Sequence, residues 1–306
     1  MIRLGYACIN TTLPSTNKTC RVANATPDRV IELARQNLIA LAEILRWNDA
    51  QGIRLFRVSS DIIPLASHPA VTVPWAEILR PELEQAGGLA RQFGIRLSMH
   101  PGQYTVLNSP RPEVVEASLA ELEYHARFLT VLGMDHTAKL VLHLGGVYGD
   151  KPSAMARFAE NFTRLSEDAR RRLVLENDER SYTVEDAITL SERIGAPVVF
   201  DVFHHRYNPS LEGLPLRAVI DRAAETWGPA DGPPKLHYSD PWPGKPPGSH
   251  SQSVDVAAFG AFLAQIEGMD IDVMLEVKDK EQSVLALYDR WPELRVGNTP
   301  GDHNVY

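Results

Sequence analysis

The sequence predicts a single α/β domain over residues 1–306, folded as a closed (β/α)8 TIM barrel with long loops at the C-terminal rim. Three observations predict this fold. Eight short apolar runs alternate strictly with eight helical patterns, which is typical of a parallel sheet. Links from helix to strand are short and links from strand to helix are long, so the extra residues lie on the face where barrel enzymes build active sites. The segment GYACINTTLPS, at the end of the first run, lacks the glycine-rich phosphate turn that an open doubly wound sheet would usually carry.

The strands are expected where Val, Ile, Leu and aromatic residues form nearly continuous runs. These runs cover residues 2–7, 53–58, 95–100, 139–144, 173–177, 197–203, 234–239 and 272–277. The first helix is expected at 28–49, because apolar residues recur at helical spacing after the start signal Thr26-Pro27-Asp28. Similar patterns predict further helices at 75–93, 113–132, 153–169, 183–194, 215–227, 255–267 and 280–290.

Composition excludes several classes of protein. No apolar run approaches 18 residues, so no membrane span is expected, and the first ten residues do not resemble a signal peptide. Two cysteines, Cys8 and Cys20, are too few for a disulfide framework or a cysteine-based zinc site. The net charge of −8 argues against a uniformly basic nucleic-acid binder. A cytoplasmic protein is therefore expected. The basic run 170–172 lies just before a strand, on the face opposite the rim, and is interpreted as solvated charge.

Six consecutive predicted strands end in a histidine or a carboxylate. These residues are His100, His143, Glu176, Asp201 (followed by His204 and His205), His237 and Glu276. A single histidine at such a position is more often an ordinary rim residue, but six strand ends converge around one axis in a barrel. Buried carboxylates and imidazoles need partners, and metal ions satisfy both.

The donor set indicates the kind of metal site. Imidazole and carboxylate without thiolate suit zinc, manganese or iron. The donors exceed what one ion needs, so two or three divalent ions are expected, with Glu176 as the bridging carboxylate. Such clusters suit displacement at phosphorus. Three ions would add six positive charges and reduce the net charge from −8 to −2.

With these residues identified, the sequence resembles the UV damage endonuclease family. The resemblance rests on LGYACIN (4–10), RVSSDIIPLASHP (57–69), MHPGQYTVLNS (99–109), LVLHLGG (140–146), LENDE (175–179), DVFHH (201–205), KLHYSD (235–240) and HSQ (250–252). The family is similar in architecture to the endonuclease IV group of metal-dependent barrel nucleases. The resemblance implies a DNA repair enzyme that cuts immediately 5′ to cyclobutane pyrimidine dimers and 6-4 photoproducts, with abasic sites as further substrates. It would leave a 3′-hydroxyl and a 5′-phosphate and associate with the nucleoid when acting on DNA.

The resemblance also implies roles for individual residues. His100, His143 and Glu176 would hold one ion, Glu176, Asp201, His237 and Glu276 a second, and His204 and His250 a third. The endonuclease IV group has an aspartate where this chain has Gly248, which leaves the third site one carboxylate short. Manganese is the expected metal, with Zn²⁺ or Mg²⁺ as alternatives.

Lys235 is a candidate for the missing ligand. It lies two residues before His237 on one strand, so both side chains face the barrel interior. A lysine beside cations should lose its proton, and a neutral amine can capture CO2 as a carbamate. A simple amine contact with phosphate is the equally weighted alternative.

Four residues match lesion-recognition positions of the family, namely Tyr6, Asn10, Gln103 and Tyr104, and His68 matches a position near the scissile phosphate. An aromatic residue on a rim loop can stack on exposed bases, and an amide can fill the gap opposite displaced bases. Without the resemblance, Gln103 and Tyr104 would more often be ordinary packing residues. UV-damaged double-stranded DNA is the expected partner, with no membrane and no required protein partner.

Two other functions remain open on the sequence alone. A metal-dependent sugar isomerase or epimerase uses Glu, Asp and His at strand ends of a related barrel, usually around one or two metals. The extra ligands and long rim loops favour the nuclease. A noncatalytic damage-binding protein would not need so many ligands around one axis.

Overall fold

The computed structural model describes residues 1–296, so the last ten residues of the predicted domain lie outside the described part. Eight parallel strands form a closed barrel in sequence order, and β1 closes it by pairing with β8. The strands are β1 Ile2–Cys8, β2 Leu55–Val58, β3 Arg96–Met99, β4 Lys139–His143, β5 Leu173–Glu176, β6 Val198–Asp201, β7 Lys235–Tyr238 and β8 Ile271–Leu275. All eight predicted strands and the (β/α)8 fold class are confirmed.

Helices connect the strands. Within residues 1–296 they are α1 Pro27–Ala50, α2 Trp75–Ile78, α3 Arg80–Gln92, α4 Pro112–Val131, α5 Lys151–Phe162, α6 Glu167–Arg172, α7 Val184–Ile194, α8 Val202–Tyr207, α9 Leu216–Ala224, α10 Val256–Gln265 and α11 Glu281–Arg290. The predicted helix 75–93 is interrupted at Leu79, and the predicted helix 153–169 is interrupted before Ser166, whose side chain caps α6. None of the described helices has the length and apolar character of a membrane span.

The end of β6 differs from the prediction. The apolar run 197–203 was expected to be strand throughout, but the strand stops at Asp201 and the chain turns into the short helix α8. The cause is a helix cap: Oδ1 of Asp201 accepts a hydrogen bond from the backbone N–H of His204 at 2.7 Å. The turn brings His204 back over the barrel mouth instead of along the strand.

The barrel interior contains an apolar middle layer. Val141, Val174 and Val199 pack together from β4, β5 and β6, and Ala7, Leu55 and Met274 form the matching group from β1, β2 and β8. Because side chains alternate across a strand, the residues two positions further along also face inward. On five of the six strands that position carries a polar or charged residue of the barrel mouth, namely Arg57, His143, Glu176, Asp201 and Glu276.

Below the middle layer, the barrel floor is closed by ion pairs within the chain. Asp272, which is fully buried, accepts hydrogen bonds from Arg3 and from Arg96, the latter at 2.7 Å. Lys139 donates to Asp231 at 2.6 Å. The basic run 170–172 is not wholly solvated, contrary to the prediction. Arg172 is only 2% exposed, because its guanidinium donates to backbone carbonyls at the end of α4 and to Asp168.

Candidate metal centre

Three overlapping groups of side chains at the barrel mouth have the composition and spacing of metal sites. The groups are His100, His143 and Glu176; Glu176, Asp201 and His204; and Glu176, His237 and Glu276. In each group the ligand atoms lie within 4.8 Å of one another. The strand register produces this convergence, since His143 lies opposite Glu176 and Asp201 opposite His237. The structure thus brings seven of the eight predicted ligands into one cluster that shares Glu176.

Glu176 lies at the centre of the cluster. Its buried carboxylate contacts Nε2 of His100 at 2.9 Å, Nε2 of His143 at 3.3 Å and Nδ1 of His237 at 2.5 Å. Burial alone would raise the pKa of this carboxyl, but His237 and His143 outweigh burial and hold the pKa well below its usual range. Glu176 is therefore an anion at neutral pH, which is the state that bridging two cations requires.

Several buried polar atoms of the cluster lack a hydrogen-bond partner within residues 1–296. They are Nδ1 of His143, Oδ2 of Asp201, Nε2 of His237 and Nδ1 of His250. Leaving a buried polar atom unpaired is costly, and native structures usually avoid it. Unpaired nitrogen and carboxylate oxygen atoms are the donors that divalent transition metals bind. The residues present therefore fit a multinuclear metal centre.

Asp201 and His204 depend on each other for their protonation states. Burial raises the pKa of Asp201 to about 7, although His204 lowers it. Burial disfavours the charged imidazole of His204, but Asp201, Glu176 and Glu276 together outweigh burial and raise the pKa of His204 to about 9. Without a metal, protons thus supply the positive charge that these groups need. Metal binding must displace them.

Arg57 is a component of the cluster that the sequence analysis missed. Its guanidinium donates to Oε1 of Glu276, and both side chains are nearly buried. Burial would raise the pKa of Glu276, but Arg57 and His237, with a smaller contribution from His250, together outweigh burial and lower it. The available signal was the alternation along β2, because Arg57 follows the interior residue Leu55 by two positions and must face inward.

His250 and His204 do not form the compact pair expected for a third ion. His204 groups with Glu176 and Asp201 instead, and His250 belongs to none of the three groups found in residues 1–296. The His204 and His250 rings are 5.8 Å apart between centroids, and Nε2 of His250 lies 3.9 Å from Oε2 of Glu276. His250 is therefore at the margin of the cluster.

Lys235 lies in the barrel interior just below the cluster, two residues before His237. It is fully buried, and its Nζ has no hydrogen-bond partner among the described residues. Burial, together with Arg96, lowers its pKa well below the usual range. The expectation of a neutral amine facing inward agrees with this environment.

The four predicted lesion-binding residues fall in two different environments. Tyr6 is fully buried, with its hydroxyl donating to Asn48 at 2.7 Å and accepting from Asn10 at 3.0 Å. Asn10 is 2% exposed. In this structure neither offers a surface to DNA. Gln103 and Tyr104 do: both are exposed on the loop after β3, Tyr104 by 82%.

The loop after β3 also lines the approach to the cluster. Gln103, His100, His143 and Glu179 line one cleft of about 250 Å³. His68 lies elsewhere, on a largely apolar cavity of about 620 Å³, where its Nδ1 accepts a hydrogen bond from the backbone N–H of Ala70 at 3.1 Å. The structure thus joins Gln103 to the predicted ligands and does not group His68 with them.

Comparison with known proteins gives concordant matches along the chain. A family model described as UV-endonuclease UvdE matches residues 2–305. The UV DNA damage endonuclease of Clostridium perfringens is 38% identical over 296 residues, covering 96% of this chain and 71% of that protein. The putative UV-damage endonuclease of Acanthamoeba polyphaga mimivirus is 36% identical, with 99% and 95% covered. The crystal structure of SacUVDE has a TM-score of 0.91 at 38% identity, with 96% and 99% covered. The chain spans about half the length of relatives from Neurospora crassa and Schizosaccharomyces pombe.

More distant solved structures share the fold alone. Endonuclease IV from Thermus thermophilus has a TM-score of 0.58 at 16% identity, covering 94% of this chain and 99% of that chain. D-psicose 3-epimerase from Clostridium cellulolyticum has a TM-score of 0.54 at 15% identity, with 83% and 93% covered. The family model and the relatives confirm the resemblance drawn from the sequence: the chain belongs to the UV damage endonuclease family, a family of endonucleases.

Proposed function

We propose that this protein nicks DNA immediately 5′ to UV photoproducts by metal-dependent hydrolysis of the phosphodiester. Its substrates are cyclobutane pyrimidine dimers and 6-4 photoproducts, with abasic sites as a further class. The observation that carries the proposal is the sharing of Glu176 among three ligand groups at the barrel mouth. Two or three divalent ions, manganese being the expected metal, would activate water and neutralise the phosphate and the leaving oxygen.

The ligands are assigned by their grouping and their free donor atoms. His100 and His143 hold one ion with Glu176, and His237 and Glu276 hold a second with Glu176. Asp201 contributes to the second ion and, with His204, to a third. His250 would join the third ion by a small movement of its loop. Glu176 and the other buried carboxylates fix the ions in place, while Arg57 adds positive charge beside Glu276.

Lys235 and His68 have proposed supporting roles. The unpartnered amine of Lys235 supports either a carbamate that adds a carboxylate beneath the cluster or an amine that contacts the phosphate. His68 would approach the scissile phosphate from the loop after β2. Its position outside the ligand groups supports a contact with DNA in place of metal ligation.

Damage recognition is assigned to the exposed loop after β3. A photoproduct weakens pairing and stacking, so extruding it costs less than flipping two normal bases. Tyr104 can stack on bases left without partners, and Gln103 can fill the space vacated in the duplex. Tyr6 and Asn10 would act by supporting the neighbouring barrel end. Lys18, Arg21 and Arg111, all exposed on rim loops, supply cations for the phosphate backbone.

The test is nicking of a UV-irradiated supercoiled plasmid, with the unirradiated plasmid as matched control. We expect the metal-loaded protein to relax only the irradiated plasmid and end-mapping on a defined photoproduct to place the cut directly 5′ to it. Binding without cutting would indicate a damage-binding protein. No action on DNA with one ion per chain would favour the sugar isomerase.

A further inference from the structure

The loop after β5 presents two acidic residues with different surroundings. The carboxylate of Asp178 stabilises the loop itself, because it accepts hydrogen bonds from the backbone N–H groups of Arg180, Ser181 and Tyr182. Glu179 receives none of these bonds. Its side chain lines the cleft that also contains His100 and His143. The hydrogen bonds of Asp178 thus fix the turn of the loop, and Glu179 lies on the side of the loop that faces the cluster.

The donor of the cluster that faces Glu179 is the imidazole of His204. Nδ1 of His204 lies 2.9 Å from the backbone carbonyl of Asn177, and a carbonyl can only accept, so Nδ1 carries a proton. Nε2 is then the nitrogen available for a metal, and it lies 4.0 Å from Oε2 of Glu179. His204 is buried, and Oδ2 of the neighbouring Asp201 is fully buried and unpaired within residues 1–296.

Gly248 makes room for Glu179 on the opposite side. A Cβ at this position would lie 3.1 Å from Cγ of Glu179, tighter than ordinary packing, and the φ of +83° disfavours other residues there. The only competing partner in the described chain is Arg180, 3.3 Å from Glu179. Its side chain is 79% exposed, and such surface ion pairs contribute little.

We propose that Glu179 is a ligand of the ion that His204 binds. Two donors at about 2.1 Å from one ion are separated by at most about 4.2 Å, so the observed separation accommodates an ion between Glu179 and His204. Glu179 then supplies the carboxylate that Gly248 cannot. This inference rests on the proposed metal-dependent function and extends it to a residue outside the three ligand groups.

The test compares Glu179→Gln with the matched control Glu185→Gln, an exposed glutamate in the first turn of the following helix α7. Each protein is loaded with Mn²⁺, desalted and analysed for metal per chain, and the apo-proteins are then titrated with Mn²⁺ by electron paramagnetic resonance. Thermal melts confirm that both variants are folded; Gln has the size of Glu, so folding should persist. We expect Glu179→Gln to retain one ion fewer than the wild type or to bind its weakest ion at least about 10-fold less tightly, because even outer-shell partners contribute 10–100-fold. Glu185→Gln should match the wild type.

Unchanged ion count and affinity in Glu179→Gln would overturn the inference. An equal loss in both variants would overturn it too, because the effect would then be one of general charge. Failure of the proposed function would give a different result, because the wild type itself would then retain no ions and would leave irradiated plasmid intact. A wild type that binds metal and nicks, beside a Glu179→Gln protein with the full set of ions, would reject only the assignment of Glu179.

Discussion

The two ends of the barrel interior carry similar residues in opposite states. At the floor, buried Asp272 is paired with Arg3 and Arg96, so its charge is compensated by the chain itself. At the mouth, Glu176 is surrounded by three imidazoles, and Asp201 retains an oxygen without a hydrogen-bond partner in residues 1–296. A layer of valines, alanine, leucine and methionine separates the two ends.

We infer from this difference that the floor of the barrel serves stability and that the mouth serves the proposed chemistry. Buried charges must be compensated, and the floor achieves this with arginines whose geometry matches a carboxylate. The mouth assembles more ligand atoms than its own cations can satisfy. Protons supply part of this compensation in the metal-free protein, and we propose that divalent ions supply it in the working enzyme. Removing metal should therefore affect the mouth strongly, and removing a floor carboxylate should affect folding without affecting metal.

The largest effect is expected from removal of metal. Exhaustive treatment with EDTA should abolish nicking of irradiated plasmid and lower the melting temperature, because ions that bind only the native state add to its stability. Far-UV circular dichroism should still report a folded barrel, since the charges of the floor are compensated by the chain itself. Full activity in protein shown to be metal-free would contradict the assignment.

At the floor, Asp272→Asn should reduce stability while preserving the metal centre. Asparagine keeps the size but leaves two guanidinium groups without their buried counter-charge, so we expect a loss of about 3–5 kcal/mol in the free energy of unfolding. Chemical denaturation measures this loss, and elemental analysis should give the wild-type number of ions. A variant of normal stability, or one that has lost metal, would show that floor and mouth are not independent.

The ligands at the barrel mouth could be predicted from the sequence, whereas the ion pairs of the barrel floor could not. Metal ligands at strand ends are visible because strand periodicity fixes which residues face inward and the register fixes their level. His143 and Glu176 on adjacent strands are an example. The eight strands were visible for the same reason, since parallel strands buried on both faces form apolar runs.

The features that could not be predicted from the sequence depend mostly on contacts between segments that are distant in sequence. Nothing local distinguishes Arg172, which is buried against α4, from its exposed neighbour Arg171. Tyr6 matches a lesion-recognition position by resemblance, but its side chain is buried and its hydroxyl donates to Asn48 of α1. The side-chain cap that ends β6 at Asp201 competes with an apolar run that continues past it. Such outcomes are set by tertiary partners, which periodicity does not identify.

At the mouth, Glu176→Gln should reduce cutting by at least roughly 100-fold, on the scale of removing one strong electrostatic stabiliser. The amide keeps the size of the side chain and loses the charge that bridging requires. Binding to damaged duplex should change less, because Glu176 is fully buried below the exposed rim loops. Single-turnover nicking, with metal content measured in parallel, provides the check. Near-normal turnover with a full set of ions would reject the bridging role.

Above the mouth, the double variant Gln103→Ala with Tyr104→Ala should weaken binding to damaged duplex by roughly 2–4 kcal/mol, taking about 1–3 kcal/mol per lost stacking contact. Metal content should not change, because neither residue belongs to a ligand group. Binding to undamaged duplex depends mainly on phosphate contacts and should be nearly preserved. Fluorescence anisotropy with matched damaged and undamaged duplexes separates damage-specific binding from binding through phosphate contacts. Equal weakening on both would show that this pair does not probe damage.

The smallest expected effect is the release of a proton from His204 when metal binds. The pKa of His204 in the metal-free protein, about 9, lies above the ordinary value of 6.5. Its charged form therefore stabilises the fold fully below about pH 6.5, and this contribution is lost as the pH rises through about 9.

A metal needs the neutral imidazole, so binding at about pH 7.5 should release about one proton from His204. Isothermal titration calorimetry in buffers of different ionisation enthalpy measures the release. His204→Asn should release about one proton fewer than the wild type at that pH, and the difference should vanish near about pH 10. A proton release that is the same in the variant and the wild type would place the exchangeable charge of the mouth on another residue.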